Sequence, residues 1–285
     1  YHSLSLVNMG FSSELIRLGE CELSLIPFEP ANFGPEIDPE RYGPIADRIG
    51  VELSGPAQFH IRQQWPPNFT PPSLGHWVMV QPWEYGRIPK DWVDPIQESV
   101  DEVWVPSQYV KECYVESGIN PDWVQVIPVG VRTELFCPKA KPILLETKKR
   151  FKFLFVGGCI YRKGIDLLLK AYCDTFRRDD DVCLVIKGMG DETFYKGQTA
   201  VEEIRKIQAD PVLPEIIYIT EDFTETEMAG LYTACDCLVH PYRGEGFGMP
   251  VAEAMSSGLP VIVTQGGACD DFCLEETVFF VPAER

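Results

Sequence analysis

Residues 240–259 read HPYRGEGFGMPVAEAMSSGL, with Glu245 and Glu253 eight positions apart. Residues 235–241 predict a buried strand, 243–248 a loop with three glycines, and Met249-Pro250 the start of a helix that Gly258 and Pro260 stop. Proline suits a first helical position because its missing N–H had no partner there, and glycine just past the end is the matching stop. Loop glycines let the main-chain N–H groups of Phe247 and Gly248 approach a ligand, and with the positive helix end they form a site for phosphate. A carboxylate beside that site repels phosphate but accepts hydrogen bonds from hydroxyls. The stretch therefore predicts a site for a sugar joined to phosphate.

Outward from this stretch the chain alternates strand and helix. Residues 152–156, 182–186, 215–220 and 278–281 predict strands, and 165–176 and 199–208 helices, the first with Leu168, Leu169 and Tyr172 inward. Thr224 and Glu227 have capping-box spacing at the head of a helix ending near Ala234. In the first half, 3–19 predicts a helix and 21–27, 57–62, 77–81, 102–105 and 123–128 strands. Ser107 is placed to cap a helix running to Ser117. Such alternation predicts an α/β fold, parallel sheets with helices on both faces. The 285 residues suit two domains, and 129–150, with Pro138, Pro142 and a basic run, is the expected linker, giving domains 1–138 and 139–285.

Composition narrows the function. A net charge of −18 and a pI near 4.6 argue against nucleic acid and against attachment to anionic lipid. No transmembrane segment is predicted, since no stretch reaches the roughly 18 apolar residues that a span needs. The ten cysteines form no Cys-x-x-Cys pair, and the four histidines are scattered, so reduced thiols and no metal site are expected. The second strand of chemistry is the loop 157–164, GGCIYRKG, between a strand and a helix, where ligands of open α/β sheets bind. It lacks the Gly-Lys-Ser/Thr order of a Walker loop, but Lys163 offers a point charge to a diphosphate and Arg162 a fork for its oxygens.

The loop, the Glu-x7-Glu spacing and EAMSSGLPVIVT together resemble the retaining, group 1 glycosyltransferases of family 4, which have the GT-B fold. The likeness runs upstream through FKFLFVGGCIYRKGIDLLLKAY and IPVGVRTELFCP and downstream into TQGGACDDF. It implies two Rossmann-like, doubly wound domains facing a cleft, with a first strand before Tyr1 and last helices after Arg285 missing. It also implies transfer of a sugar from a nucleotide-diphospho-sugar to an acceptor with retention of configuration, no cofactor or metal beyond that donor, and a cytoplasmic enzyme.

In the resembled family Glu253 would hold ribose hydroxyls, Glu245 the sugar, and Lys163 with Arg162 the diphosphate, so that Lys163, Glu245 and Arg162 carry catalysis. Gly157, Gly158, Gly188, Gly246, Phe247, Gly248 and Met249 would line the donor. The family's loop commonly reads Gly-Arg-x-x-x-x-Lys-Gly, and Gly158 stands at its arginine. The acceptor-side candidates are Gln81, Trp83 and Glu84; relatives carry a histidine–acid pair near here, for which this chain offers Gln81 and Glu84. Trp65, Trp83 and Tyr85 would either stack on an acceptor sugar or pack loops onto the sheet. The acceptor is a saccharide, lipid or protein that the residues do not name. Two rival readings are a sugar-nucleotide epimerase of the same fold and a non-catalytic module that binds nucleotide sugar or glycan.

Overall fold

The computed structural model describes residues 3–28, 42–193 and 195–283. The chain forms two compact units, Tyr1–Pro106 with Val110–Gly130, and Ser107–Tyr109 with Val131–Arg285.

The first contains helix α1 (Ser3–Leu18), strands β1 (Phe59–Arg62) and β2 (His76–Val80), helix α2 (Lys90–Ser99), β3 (Glu102–Val105), all but the first two residues of α3 (Gln108–Glu116), and β4 (Val124–Val126). The strands pair in the order β1-β2-β3-β4, all parallel. Val103, Val105 and Val124 are buried in this sheet. The strand expected over 21–27 does not form. Leu25 makes a single bridge to Ile49, accepting from Gly50 N at 2.9 Å and donating to Arg48 O at 2.7 Å, and Arg48 ends a 3-10 turn that offers no longer edge. Helix α2 was not expected. It carries Pro95 internally, a costly residue there, but it buries Trp92 and Ile96 on one face.

The second unit follows the expected alternation more closely: β5 (Phe151–Val156), α4 (Ile165–Thr175), β6 (Val182–Lys187), α5 (Val201–Ala209), β7 (Glu215–Ile219), α6 (Glu225–Thr233), β8 (Cys237–His240), α7 (Met249–Ser256), β9 (Val261–Thr264) and β10 (Phe279–Val281). Alternate residues of each strand face opposite sides. Leu154, Val156, Cys183 and Val185 pack with Leu231 of α6 and Val251 and Ala254 of α7. Phe155, Leu184 and Ile186 pack on the other face with Leu168 and Leu169 of α4 and Ile204 and Ile207 of α5. Thr224 caps α6 through the full capping box with Glu227, a device worth about 1 kcal/mol.

The expected linker is not free chain. Phe136 is buried in the second unit's core, and Ile143 N donates to Gly230 O at 3.1 Å. Apolar residues on either side of its prolines, Phe136 before them and Ile143 after, pack on the core to which α6 and α7 contribute.

The six parallel strands of this sheet run β10-β9-β8-β5-β6-β7. From β5 the chain first winds one way, through β6 and β7, and then returns to β5's other side at β8. The order therefore reverses between β5 and β8. The loops leaving those strands diverge to opposite faces, and a crevice opens at their carboxyl ends.

Candidate functional site

The two loops at this reversal are tied together before any charge is considered. Gly164 has φ +72°, and a Cβ there would lie 1.9 Å from Pro241 O, so only glycine lets the loop after β5 cross the loop after β8. Arg243 N donates to Arg162 O at 2.7 Å, and Arg162 Nη1 donates to Gly244 O at 2.8 Å. The Arg243 guanidinium lies 3.6 Å from the centre of the Tyr161 ring and forks onto both oxygens of Asp166 at 2.7 and 2.8 Å. That hydrogen bond holds the Asp166 carboxyl below the usual carboxylate range.

Inside the clamp sits a buried ion cluster. Glu245 is 6% exposed. Its Oε1 accepts from Lys163 Nζ and from His240 Nε2, the latter at 2.7 Å, while Arg162 Nη1 is 3.8 Å from Oε2. Burial alone would raise the Glu245 carboxyl. Lys163, then His240 and Arg162, outweigh it and hold the group far down the carboxylate range. His240 is wholly buried, and burial pushes its imidazole down against the pull of Glu245. A neutral ring facing a carboxylate assigns the proton to Nε2. Among the described residues its Nδ1 has no hydrogen-bond partner.

Glu253, in the second turn of α7, is half-buried and accepts a hydrogen bond from the Tyr232 hydroxyl at 2.7 Å. Burial pushes its carboxyl up to about 7, with Tyr232 opposing. Among the described residues no hydrogen bond or ion pair joins Glu253 to Glu245 or Lys163. Gly248 caps α7 in a left-handed conformation without a side-chain cap, so the helix start that Met249 opens is left for another acceptor. Phe247 packs on Phe272 at 5.1 Å, and Gly246 is buried beside it.

Gly157 follows β5 with φ +138°. Next to it, a Cβ on Gly158 would lie 2.4 Å from the Tyr195 ring. Tyr195 fills the space that an arginine side chain would need, which accounts for the departure from the family's loop. Gly188 likewise lies against Tyr218, and Lys187 Nζ donates to Gly188 O at 2.9 Å over the Phe223 ring.

The acceptor-side candidates belong to the first unit. Gln81 is buried, its main-chain carbonyl accepting from the Tyr114 hydroxyl at 3.2 Å. Trp83 donates its indole N–H to Arg87 O at 3.2 Å and packs on Trp92 and Tyr85, with ring centres 5.1 and 5.5 Å apart. Glu84 is half-buried, and Trp65 and Tyr85 are exposed.

His240, Arg243, Tyr161 and Asp166 are site residues that sequence reasoning missed. The available signals were a histidine ending an apolar strand and an arginine beside the glycine loop. Among the described residues no group of three or more His, Cys, Asp and Glu could hold a metal, and no helix is long and apolar enough to cross a membrane. All ten cysteines are free thiols, only Cys21 exposed. Two open depressions, of about 370 and 280 Å³ and lined by residues such as Thr147, Lys152, Asp236, Ser257 and Pro260, lie at the amino ends of the strands. That is the edge of the sheet away from the ion cluster, so they are no part of this site.

Residues 138–284, just over half of the chain, match the family model described as glycosyl transferases group 1. The chain is 26% identical over 166 residues to an MMP alpha-(1->4)-mannosyltransferase of Mycolicibacterium hassiacum, covering 58% of this chain and 36% of that protein. It is 28% identical over 159 residues to a D-inositol 3-phosphate glycosyltransferase of Pseudarthrobacter chlorophenolicus, covering 53% and 36%. The chain thus spans little more than a third of the length of these relatives. In structure it is similar to Anabaena Alr3699/HepE, solved in complex with UDP and glucose, at a TM-score of 0.57 and 16% identity over 73% of this chain and 58% of that one. It is similar to the sucrose-phosphate synthase of Thermosynechococcus elongatus at 0.57 and 22%, over 73% and 55%. The fold is that of the GT-B glycosyltransferases, built on Rossmann-like parallel sheets. By its fold and by the match over 138–284, this chain belongs to the group 1 glycosyl transferases.

Proposed function

We propose that the chain takes part in transferring a sugar from a nucleotide-diphospho-sugar to an acceptor hydroxyl, with retention of anomeric configuration and without a metal ion. The observation that carries this reading is the buried contact of Lys163 with Glu245, residues 82 positions apart that meet where the sheet reverses. A cation for diphosphate and an acceptor for hydroxyls then stand side by side. The names of the similar mannosyl- and inositol-phosphate glycosyltransferases, and the UDP and glucose in HepE, support a nucleotide-sugar donor.

Breaking the sugar–phosphate bond leaves negative charge on the departing diphosphate. Lys163 and the main-chain N–H groups of Phe247 and Gly248, at the start of α7, stabilise that charge as it develops, which is where electrostatic catalysis acts. Arg162, whose Nη1 lies 3.8 Å from Glu245, adds charge beside Lys163. Glu245 holds the sugar and Glu253 the ribose, while Gly157, Gly158, Gly188, Gly246 and Met249 let the nucleotide approach the backbone. In a same-face transfer the leaving phosphate oxygen takes the proton of the acceptor hydroxyl. No side-chain base is then required, and Gln81, which cannot act as one, serves with Trp83 and Glu84 on the acceptor side. Free thiols suit a reducing compartment, and we assign the activity to the cytoplasm, to be checked by cell fractionation.

A thermal-shift screen of sugar nucleotides tests the donor site: a bound donor at 100 times its dissociation constant adds about 2.7 kcal/mol. Transfer, retention and metal independence follow from product anomer analysis by NMR with and without chelator. Donor binding with no turnover supports a binding module, and interconversion of the sugar nucleotide without acceptor supports an epimerase. No stabilisation by any sugar nucleotide overturns the reading.

A further inference from the structure

The two oxygens of Glu245 have unequal surroundings. Oε1 accepts from both Lys163 and His240, whereas Oε2, among the described residues, has only Arg162 Nη1 at 3.8 Å, beyond hydrogen-bonding distance. That Arg162 nitrogen already donates to Gly244 O at 2.8 Å. Lys163 is therefore required twice, once to neutralise Glu245 and once, on the donor-site reading above, to neutralise a diphosphate. A dianionic diphosphate draws the ammonium away from the carboxylate. A buried carboxylate left without a partner takes up a proton and loses half its capacity to accept from sugar hydroxyls.

One donor stays behind. His240 is the last residue of β8, wholly buried, with its ring 6.3 Å from Phe155 and 5.6 Å from Tyr242, so it keeps its orientation. Its Nδ1 has no partner among the described residues. An orphaned buried nitrogen costs the fold free energy that an apolar residue, like its neighbours Leu238 and Val239, would not. Among the described residues, the one polar contact of that ring is to Glu245.

We propose that His240 is the positioning residue of the donor site: its Nε2–H holds Glu245 ionised, with Oε2 turned to the sugar hydroxyls, while Lys163 passes from the carboxylate to the diphosphate. The inference rests on the function proposed above. No proton moves in this hand-over; Lys163 remains an ammonium and His240 a neutral donor.

The test is titration calorimetry of wild-type protein, His240→Leu and His240→Gln with UDP-glucose, UDP-N-acetylglucosamine and GDP-mannose, and with UDP and GDP alone. Loss of a hydrogen bond to a buried charge is expected to weaken the sugar nucleotide about tenfold or more in His240→Leu. The nucleoside diphosphate also draws Lys163 from Glu245 but brings no sugar hydroxyls to it, so its binding is expected to weaken severalfold less than that of the sugar nucleotide. His240→Gln, whose amide N–H can reach the same carboxylate, is expected to recover most of the loss. Equal weakening of both ligand classes, or equal loss in the two variants, assigns His240 to packing and overturns the proposal. Nitrogen-15 NMR of the wild-type histidines serves if His240→Leu does not fold. A neutral Nε2–H tautomer is expected with UDP and with the bound sugar nucleotide, and an imidazolium or an Nδ1–H tautomer overturns the proposal. Failure of folded wild-type protein to bind any of the three sugar nucleotides counts against the donor site itself, and the proposal falls with it. Binding that is indifferent to His240 overturns the proposal alone.

Discussion

A change of pH tests the role of Glu253. Burial lifts its carboxyl from 4.5 to about 7, the Tyr232 hydrogen bond pulls it down, and the charge of Glu225 adds to the rise. A carboxyl raised on folding makes the native state the better proton binder. Stability is therefore expected to fall as pH climbs from 4.5 through about 7, and to level off above that. The displacement corresponds to about 3 kcal/mol. Ribose hydroxyls donating to Glu253 need the carboxylate, so donor binding expels its proton and gains strength over the same interval. Between pH 6 and 8 the ionised fraction goes from about a tenth to about nine-tenths, and the association constant gains about tenfold. Calorimetry with a sugar nucleotide reads this cleanly, because its diphosphate diester has no group titrating there. His240 does not interfere, since burial pushes its imidazole below the ordinary 6.5. Glu253→Gln is neutral at every pH. It is expected to bind the donor weakly with a flat pH profile, and at pH 8 to be more stable than the wild type by up to about 3 kcal/mol. A wild-type affinity that is flat from pH 6 to 8, or a glutamine variant that keeps the wild-type slope, refutes the assignment of Glu253 to the donor.

Lys163→Ala is expected to lower kcat by about 10²- to 10³-fold, the usual loss of one charge-stabilising donor, with a smaller change in donor affinity; equal changes in both would make Lys163 a ground-state binder. Gly164→Ala places a methyl 1.9 Å from Pro241 O, at a positive φ. It is expected to cost about 3 kcal/mol or more in urea unfolding, and a wild-type midpoint would mean the loops are not clamped there. Trp83→Ala removes the ring that packs on Trp92 and Tyr85. The expected result is an acceptor KM raised about fivefold with donor affinity unchanged, and a change in donor affinity alone would move Trp83 off the acceptor side.

The second unit was legible because strands buried on both faces are continuous apolar runs between glycine stops and helix caps. In the first, the apolar residues of 21–27 looked the same but met no strand edge, and Pro95 hid a helix that the burial of Trp92 and Ile96 stabilises. The site divides in the same way. Glu245, Glu253, Lys163 and Arg162 were readable because each stands in a recognisable loop or helix start. His240 and Arg243 were not, since their partners lie across a strand pairing that sequence periodicity cannot name. Period two marks 240 as the end of a strand, but only the pairing of β8 with β5 brings it to the loop that carries Lys163. Gly158 makes the same point from the other side. An absent arginine reads as lost charge until Tyr195, arriving from the segment after β6, is seen to fill its place. The same strands and loops threaded in another order would keep every local signal and still lose the lysine–glutamate–histidine contacts. The chemistry of this chain therefore depends on where the sheet reverses direction, and the residues that report it are those that touch across that reversal.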